Sequence, residues 1–100
     1  PCGPWITTKD EVPDPYMLPL KLWVNDELRQ DGIAGEMIFD IAEQIEYCST
    51  VMTLEPGDII STGTPAGAGL GIGSKILRPG DQVVCEVGSL GRLSTPMVAA

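Results

Sequence analysis

Histidine is absent from this sequence. That removes every His-containing catalytic triad and the usual His-bearing zinc sites in one step. Basic residues are scarce too: six Lys and Arg stand against fourteen Asp and Glu, for a net charge of −8. The six, Lys9, Lys21, Arg29, Lys75, Arg78 and Arg92, are scattered along the chain. No basic patch can gather phosphates, so nucleic acid is excluded as a partner. A small anion would have to be held by local donors or by a metal ion, against the overall field. Only three cysteines occur, Cys2, Cys48 and Cys85, far apart. An odd count without paired spacing excludes a disulfide framework. Cys48 and Cys85 lie in apolar stretches and are expected in the core. No run of 18 apolar residues is present, which excludes a helical membrane span. No signal peptide is visible, and because Pro1 rather than Met opens the chain, the natural start is expected upstream. A reducing, cytoplasmic setting is the expectation.

Apolar residues make up 43% of the chain and charged residues 20%, enough burial potential to offset the entropy of ordering. The length fits one small domain or a piece of a larger one.

Pro1 to Pro4 reads as an irregular connector, Trp5–Thr8 as a short strand, and Lys9–Pro19 as a loop broken by Pro13 and Pro15. The runs Leu20–Val24 and Glu27–Asp31 flank Asn25-Asp26, two residues that tolerate a left-handed backbone, so a hairpin is predicted. Gly32–Gly35 reads as a flexible link. A helix is predicted from Ile41 to Met52, capped by Asp40 with Glu43 at capping-box spacing. Ile41, Ile45, Cys48 and Met52 share one face, which predicts packing on a sheet. Two Pro-Gly turns, at Pro56-Gly57 and Pro79-Gly80, lead into predicted strands at Ile59–Thr62 and Gln82–Val87. Arg92–Thr95 closes a second hairpin around Ser89-Leu90-Gly91. The chain is therefore mainly β with one helix, an α+β class, with antiparallel pairing.

The segment from Ser61 to Gly69, in a glycine-rich stretch reaching Gly73, carries the most chemical information. A strand running into glycines exposes backbone N–H groups and permits close approach of a ligand, and Thr64 adds a hydroxyl. The segment reads either as a cradle for a carboxylate or phosphate or as a plain tight loop. It is not a Walker loop, because no Gly-Lys-Ser/Thr follows, and no β-α-β unit surrounds it as a dinucleotide fingerprint requires. The acidic groups at Asp10-Glu11, Asp26-Glu27, Asp31, Glu36 and Asp40 have no spacing that forces them to converge on a cation, and a solvated face accounts for each. Gln30 can present an amide at a strand end, or simply face water.

Several segments fit one pattern in order and spacing: Gly3-Pro4-Trp5-Ile6, Leu22–Asp31, Met37-Ile38-Phe39, Leu54–Ile60, Thr62–Gly67 and Leu77–Asp81. Together they resemble the C-terminal portion of the fumarylacetoacetate hydrolase family, over nearly the whole of residues 1–100. The resemblance implies part of a mixed β-sandwich roll and a metal-dependent catalytic domain, usually dimeric, that uses Mg²⁺ or Mn²⁺. Implied activities are acylpyruvate hydrolysis, oxaloacetate decarboxylation, and the hydratase and isomerase steps of aromatic catabolism, all on 2-oxo acids. Gly63 and Thr64 match the loop that helps hold the substrate's carboxylate, and Gln30 is carried with them as a candidate substrate contact. The competing role for Thr64 is a hydroxyl that only ties down its own loop.

Two departures stand out. The family's metal carboxylates and active-site lysine lie upstream of Gly3, outside this chain. After Arg29-Gln30-Asp31 the family commonly carries a polar turn with Asn and Thr, where this sequence has Gly32-Ile33-Ala34-Gly35. The chain alone is accordingly expected to be inactive, and to pair as a homodimer or with a complementary N-terminal chain. The alternative is a non-catalytic small-carboxylate-binding or assembly module. The enzyme reading further requires that the corner after Ile59–Thr62 open onto a cavity beside Thr64.

Overall fold

The structure, a computed structural model, describes residues 1–3, 5–69 and 75–99. Its centre is a hairpin. Strand β1 (Pro19–Val24) and strand β2 (Glu27–Ile33) pair antiparallel across Asn25 and Asp26, whose φ angles are 50° and 68°. Both residues take the left-handed conformation that a two-residue turn of the primed type requires, as the sequence predicts. Strand β3 (Gln82–Val87) docks on the other side of β1, and β4 (Arg92–Pro96) pairs with β3. The sheet order is β2-β1-β3-β4, antiparallel throughout. The class is mainly β with one helix, as expected.

The long-range β1–β3 pairing is secured at one corner. Asn25 Nδ2 donates to Asp81 Oδ1 at 2.7 Å, and Asn25 Oδ1 accepts from Gln82 N at 2.8 Å. The two Pro-Gly turns are built alike. In each, the Asp side chain accepts from the backbone N–H three residues earlier, Glu55 for Asp58 and Arg78 for Asp81. Gly57 and Gly80 supply the positive φ, 103° and 95°.

A bulge interrupts the hairpin. Leu22 faces Gln30, but Trp23 faces Leu28, so Arg29 is an extra residue on β2. Side chains alternate faces along a strand, and strict alternation from Leu28 would put Gln30 on the Trp23 face. The bulge instead places Gln30 on the face of Leu20, Leu22, Cys85 and Val87. On the opposite face the Arg92 guanidinium sits 5.4 Å from the Trp23 ring centroid, a contact that contributes about 0.5–1 kcal/mol at an exposed site.

Helix α1 (Ile41–Val51) begins as predicted. Asp40 Oδ1 accepts from Glu43 N at 2.8 Å, and Glu43 Oε2 accepts from Asp40 N at 2.8 Å. Such a cap is worth about 1 kcal/mol. The predicted packing does not follow: α1 has no buried residue, and Ile45 and Met52 of the apolar stripe are exposed. The Tyr16 hydroxyl, which accepts from Ile41 N at 3.2 Å, ties down the helix start.

Other expectations are corrected. Trp5–Thr8 and Ile59–Thr62 form no strands, because neither pairs with a neighbour. Gly32–Gly35 is not a free link: Gly32 and Ile33 finish β2, and Ala34–Glu36 is a 3₁₀ turn in which a Cβ on Gly35 would meet Tyr16 O at 3.0 Å. Cys48 and Cys85 are half-buried rather than in the core. Gly71 and Gly73 of the glycine-rich stretch, and Pro4 of the opening run, lie outside the described residues.

Val24 is the one buried hydrophobic side chain among the described residues. The accessible surface is 7765 Å², whereas a compact monomer of this mass exposes roughly 5,500 Å². The Cα radius of gyration, 15.1 Å, likewise exceeds the ~13 Å of a compact 100-residue domain. The sheet's inner face is covered only in part by the described residues.

Candidate carboxylate-binding wall

The segment after the Glu55–Asp58 turn crosses the Leu22 face of the sheet, and Gln30 holds it there. The Gln30 amide Nε2 donates to Thr64 Oγ1 at 2.8 Å and to Pro65 O at 2.7 Å. Among the described residues no other hydrogen bond reaches 59–69. Gln30 lies mid-strand and is only 8% exposed, which corrects the reading of a surface amide at a strand end. It is the buried polar residue of an otherwise apolar face, and both amide protons are satisfied, as burial requires.

Gly67 shows how close the loop lies. Its φ is 110°, and a Cβ there would fall 2.0 Å from Arg29 O. Only glycine fits both the backbone conformation and the gap. Gly63, also at positive φ (102°), has open space where a Cβ would be, so its role is conformational. Pro65 rests on Gly32, 3.2 Å from that residue's ideal Cβ position. The glycine that departs from the family's polar turn therefore makes room for the loop.

Beside this corner is an open cavity of about 1000 Å³, lined by Gln30, Ser61, Thr62, Gly63, Thr64 and Pro65 on one side. Leu20, Leu22 and Cys85 form its floor, and Met37, Ile38, Phe39 and Ile41 at the helix entry form the opposite wall. The corner is thus open at Thr64, as the enzyme reading requires. A smaller hollow of about 510 Å³ lies on the other side of the Gln30–Thr64 contact, between Arg29, Gly67 and Lys75.

Charge gathers at the rim. Glu27 accepts from Lys75 and lies 3.4 Å from Arg29 Nε. The hydrogen bond from Lys75 holds the Glu27 carboxyl below its ordinary value of 4.5, with the Arg29 charge adding to it. Arg29 Nε is buried without a hydrogen bond of good geometry, while Nη1 donates to Lys75 O at 3.2 Å.

A divalent ion would need converging oxygens. The described residues contain no group of three or more His, Cys, Asp or Glu side chains that could hold one. The described residues by themselves do not fit a metal centre.

A threonine hydroxyl beside an open cavity, on a loop clamped to an antiparallel sheet, places the candidate site in a domain of the mainly-β kind. The sequence model described as fumarylacetoacetate (FAA) hydrolase C-terminal matches residues 1–98. The chain belongs to the fumarylacetoacetate hydrolase family. An uncharacterized protein of Staphylococcus aureus (strain USA300) is 51% identical over 96 residues, 95% of this chain and 32% of that protein. Maleylpyruvate hydrolase from Sphingobium sp. SYK-6, in complex with manganese(II) ion and pyruvate, superposes with a TM-score of 0.87 at 45% identity, covering 96% of this chain and 34% of that one. The 2-hydroxyhepta-2,4-diene-1,7-dioate isomerase from Mycobacterium marinum superposes with a TM-score of 0.83 at 42% identity, covering 96% and 34%. The chain spans about a third of the length of the relatives it matches. The sheet and helix are the C-terminal domain fold of this family, whose members include hydrolases and isomerases.

The structure brings Gln30, Gly63 and Thr64, the three residues singled out in the sequence, to one place. Neither the bulge at Arg29 nor the Pro65 carbonyl as an anchor leaves a local signal in the residue pattern. The available signal is the amide of Gln30 itself, on a predicted hairpin strand.

Proposed function

We propose that this chain forms one wall of the active site of a metal-dependent enzyme acting on 2-oxo acids of the acylpyruvate type, by C–C hydrolysis, decarboxylation or hydration-isomerisation. Gly63 and Thr64 hold the substrate's carboxylate. The observation that carries this reading is the Thr64 hydroxyl, pinned by Gln30 at the edge of an open cavity, on a loop whose backbone N–H groups have no protein partner among the described residues. Donors fixed before the ligand arrives cost little reorganisation. A relative of known structure holds pyruvate and manganese, which supports both the substrate class and the use of Mg²⁺ or Mn²⁺. The ion's ligands belong to residues outside this chain, and the part derived for this chain is to grip and orient a carboxylate.

The excess of exposed surface supports a partner, either a second copy in a homodimer or a complementary N-terminal chain. The setting is cytoplasmic, and the chain by itself turns over no substrate. The same excess favours one second reading, a non-catalytic assembly module that binds a small carboxylate and needs a partner chain.

Pyruvate titrated into the ¹⁵N-labelled chain tests the site: shifts should centre on Gly63, Thr64 and Gln30, and shifts elsewhere, or none, overturn the assignment. Acylpyruvate hydrolysis with Mn²⁺, measured with and without a partner chain, separates the readings. Activity restored by the partner supports the enzyme, and binding without turnover in the assembled state supports the module.

A further inference from the structure

The Gln30–Thr64 contact has a direction, and the direction matters for any ligand. The Pro65 carbonyl can only accept. The Gln30 side-chain atom 2.7 Å from it must therefore be the amide nitrogen, which fixes the orientation of the amide by its network. The same nitrogen lies 2.8 Å from Thr64 Oγ1, so the threonine oxygen accepts. A hydroxyl carries one proton, and that proton is left to point away from Gln30. Thr64 lines the large cavity and is itself exposed. Both Gln30 protons are meanwhile spent on the loop, which leaves no Nε2 donor for a ligand.

From this geometry we infer that Gln30 is a positioning residue and not a substrate contact. It fixes Thr64 as a donor toward the cavity, and this favours a carboxylate, a charged acceptor, over a carboxamide, whose neutral carbonyl oxygen accepts more weakly and whose NH₂ suits a hydroxyl that shows lone pairs. The inference rests on the carboxylate-site reading above and adds a specificity determinant to it.

The discriminating substitution is Gln30→Glu. A carboxylate at position 30 cannot donate, so the Thr64 hydroxyl turns its proton inward and shows the cavity only lone pairs. Two probes of nearly equal shape, pyruvate and pyruvamide, report the change when titrated into the full 100-residue chain. The wild type should prefer pyruvate, and Gln30→Glu should reduce the pyruvate-to-pyruvamide affinity ratio by about tenfold or more, the size expected for one hydrogen bond to a charged group. Loss of loop structure alone would weaken both probes alike and would overturn the inference. Charge repulsion from the new carboxylate is measured with Thr64→Val: if Gln30→Glu shifts the ratio as much in that background as in the presence of Thr64, the effect does not pass through the hydroxyl and the inference fails. Should Gln30→Glu unfold the chain, Gln30→Met, uncharged and of similar volume, should also lower the ratio, by roughly threefold, because the hydroxyl is freed to point either way; an unchanged ratio rejects the inference. A wild-type chain that binds neither probe sinks the carboxylate-site reading itself, an outcome distinct from binding without a change in ratio.

Discussion

Gln30 and Thr64, thirty-four positions apart in sequence, meet at 2.8 Å on the inner face of the sheet. With the neighbouring bond to Pro65 O, this contact converts an irregular segment into a fixed wall. The geometry of that wall leads to four expectations.

Thr64→Val removes the cavity-facing hydroxyl and leaves the side-chain volume nearly unchanged. Pyruvate binding should weaken about tenfold or more, as expected for a lost hydrogen bond to a charged ligand, while Thr64→Ser should remain near wild type. Isothermal titration of the two variants side by side checks this. Equal affinities for Val and Ser would remove Thr64 from the site.

Gly67→Ala places a methyl group where Arg29 O already stands, at a backbone conformation that L-residues rarely adopt. The loop must lift from β2, at a cost of about 2 kcal/mol or more. A lower urea midpoint, together with faster hydrogen exchange of the Gln30 side-chain amide, is the expected pair of readouts. Faster exchange is the more telling, because it reports detachment of the loop itself.

Acid should loosen the rim. Lys75 holds the Glu27 carboxyl below 4.5, and hydrogen bonds from Arg78 N and Asn25 hold the Asp81 carboxyl below 3.8. A carboxyl whose folded-state pKa is depressed stabilises the fold at pH above its unfolded value and loses that contribution as pH falls through the folded value. Unfolding midpoints should therefore be flat near neutrality and decline once pH drops below 4.5 and then 3.8. Glu27 is exposed and Asp81 half-exposed, so salt should blunt the effect. Combining Glu27→Gln with Asp81→Asn should flatten the acid limb, and an unchanged limb would show that other carboxylates cause it.

Exposed apolar side chains should drive association. Ile38 is 91% exposed and its neighbour Phe39 65%, and adjacent large apolar side chains left in water favour an interface. Sedimentation should show a mass above the monomer that rises with concentration, and Ile38→Lys with Phe39→Lys should reduce it. A strictly monomeric wild type at high concentration would contradict this.

Much of the fold was legible because local chemistry dictated it. Asn25-Asp26 forced the turn, Asp40 and Glu43 capped the helix, and the two Pro-Gly-Asp turns sit where their residues require. Features set by distant partners were not legible. The β1–β3 pairing joins strands separated by more than fifty positions, as the Asn25–Asp81 bond shows, and no local pattern announces it. The Ile59–Thr62 run has strand composition but no neighbour to pair with, and composition alone does not make a ladder. The apolar stripe on α1 predicts packing, yet among the described residues it is covered only in part: Ile41 and Cys48 are half-buried, and Ile45 and Met52 are exposed. At the site, glycine content and Thr64 pointed to the loop, while burial of Gln30 depended on the bulge.

That bulge gives the hairpin a counting property. Between the Asn25–Asp26 turn and the glutamine, one supernumerary residue, Arg29, decides which side of the sheet the amide emerges on. Excising it would leave every letter of the Thr62–Gly67 signature intact and still swing the amide through to the Trp23 side, stranding the threonine. Homologues that keep the signature but differ by a single residue in this arm should therefore be judged by odd or even spacing before they are assigned the same chemistry.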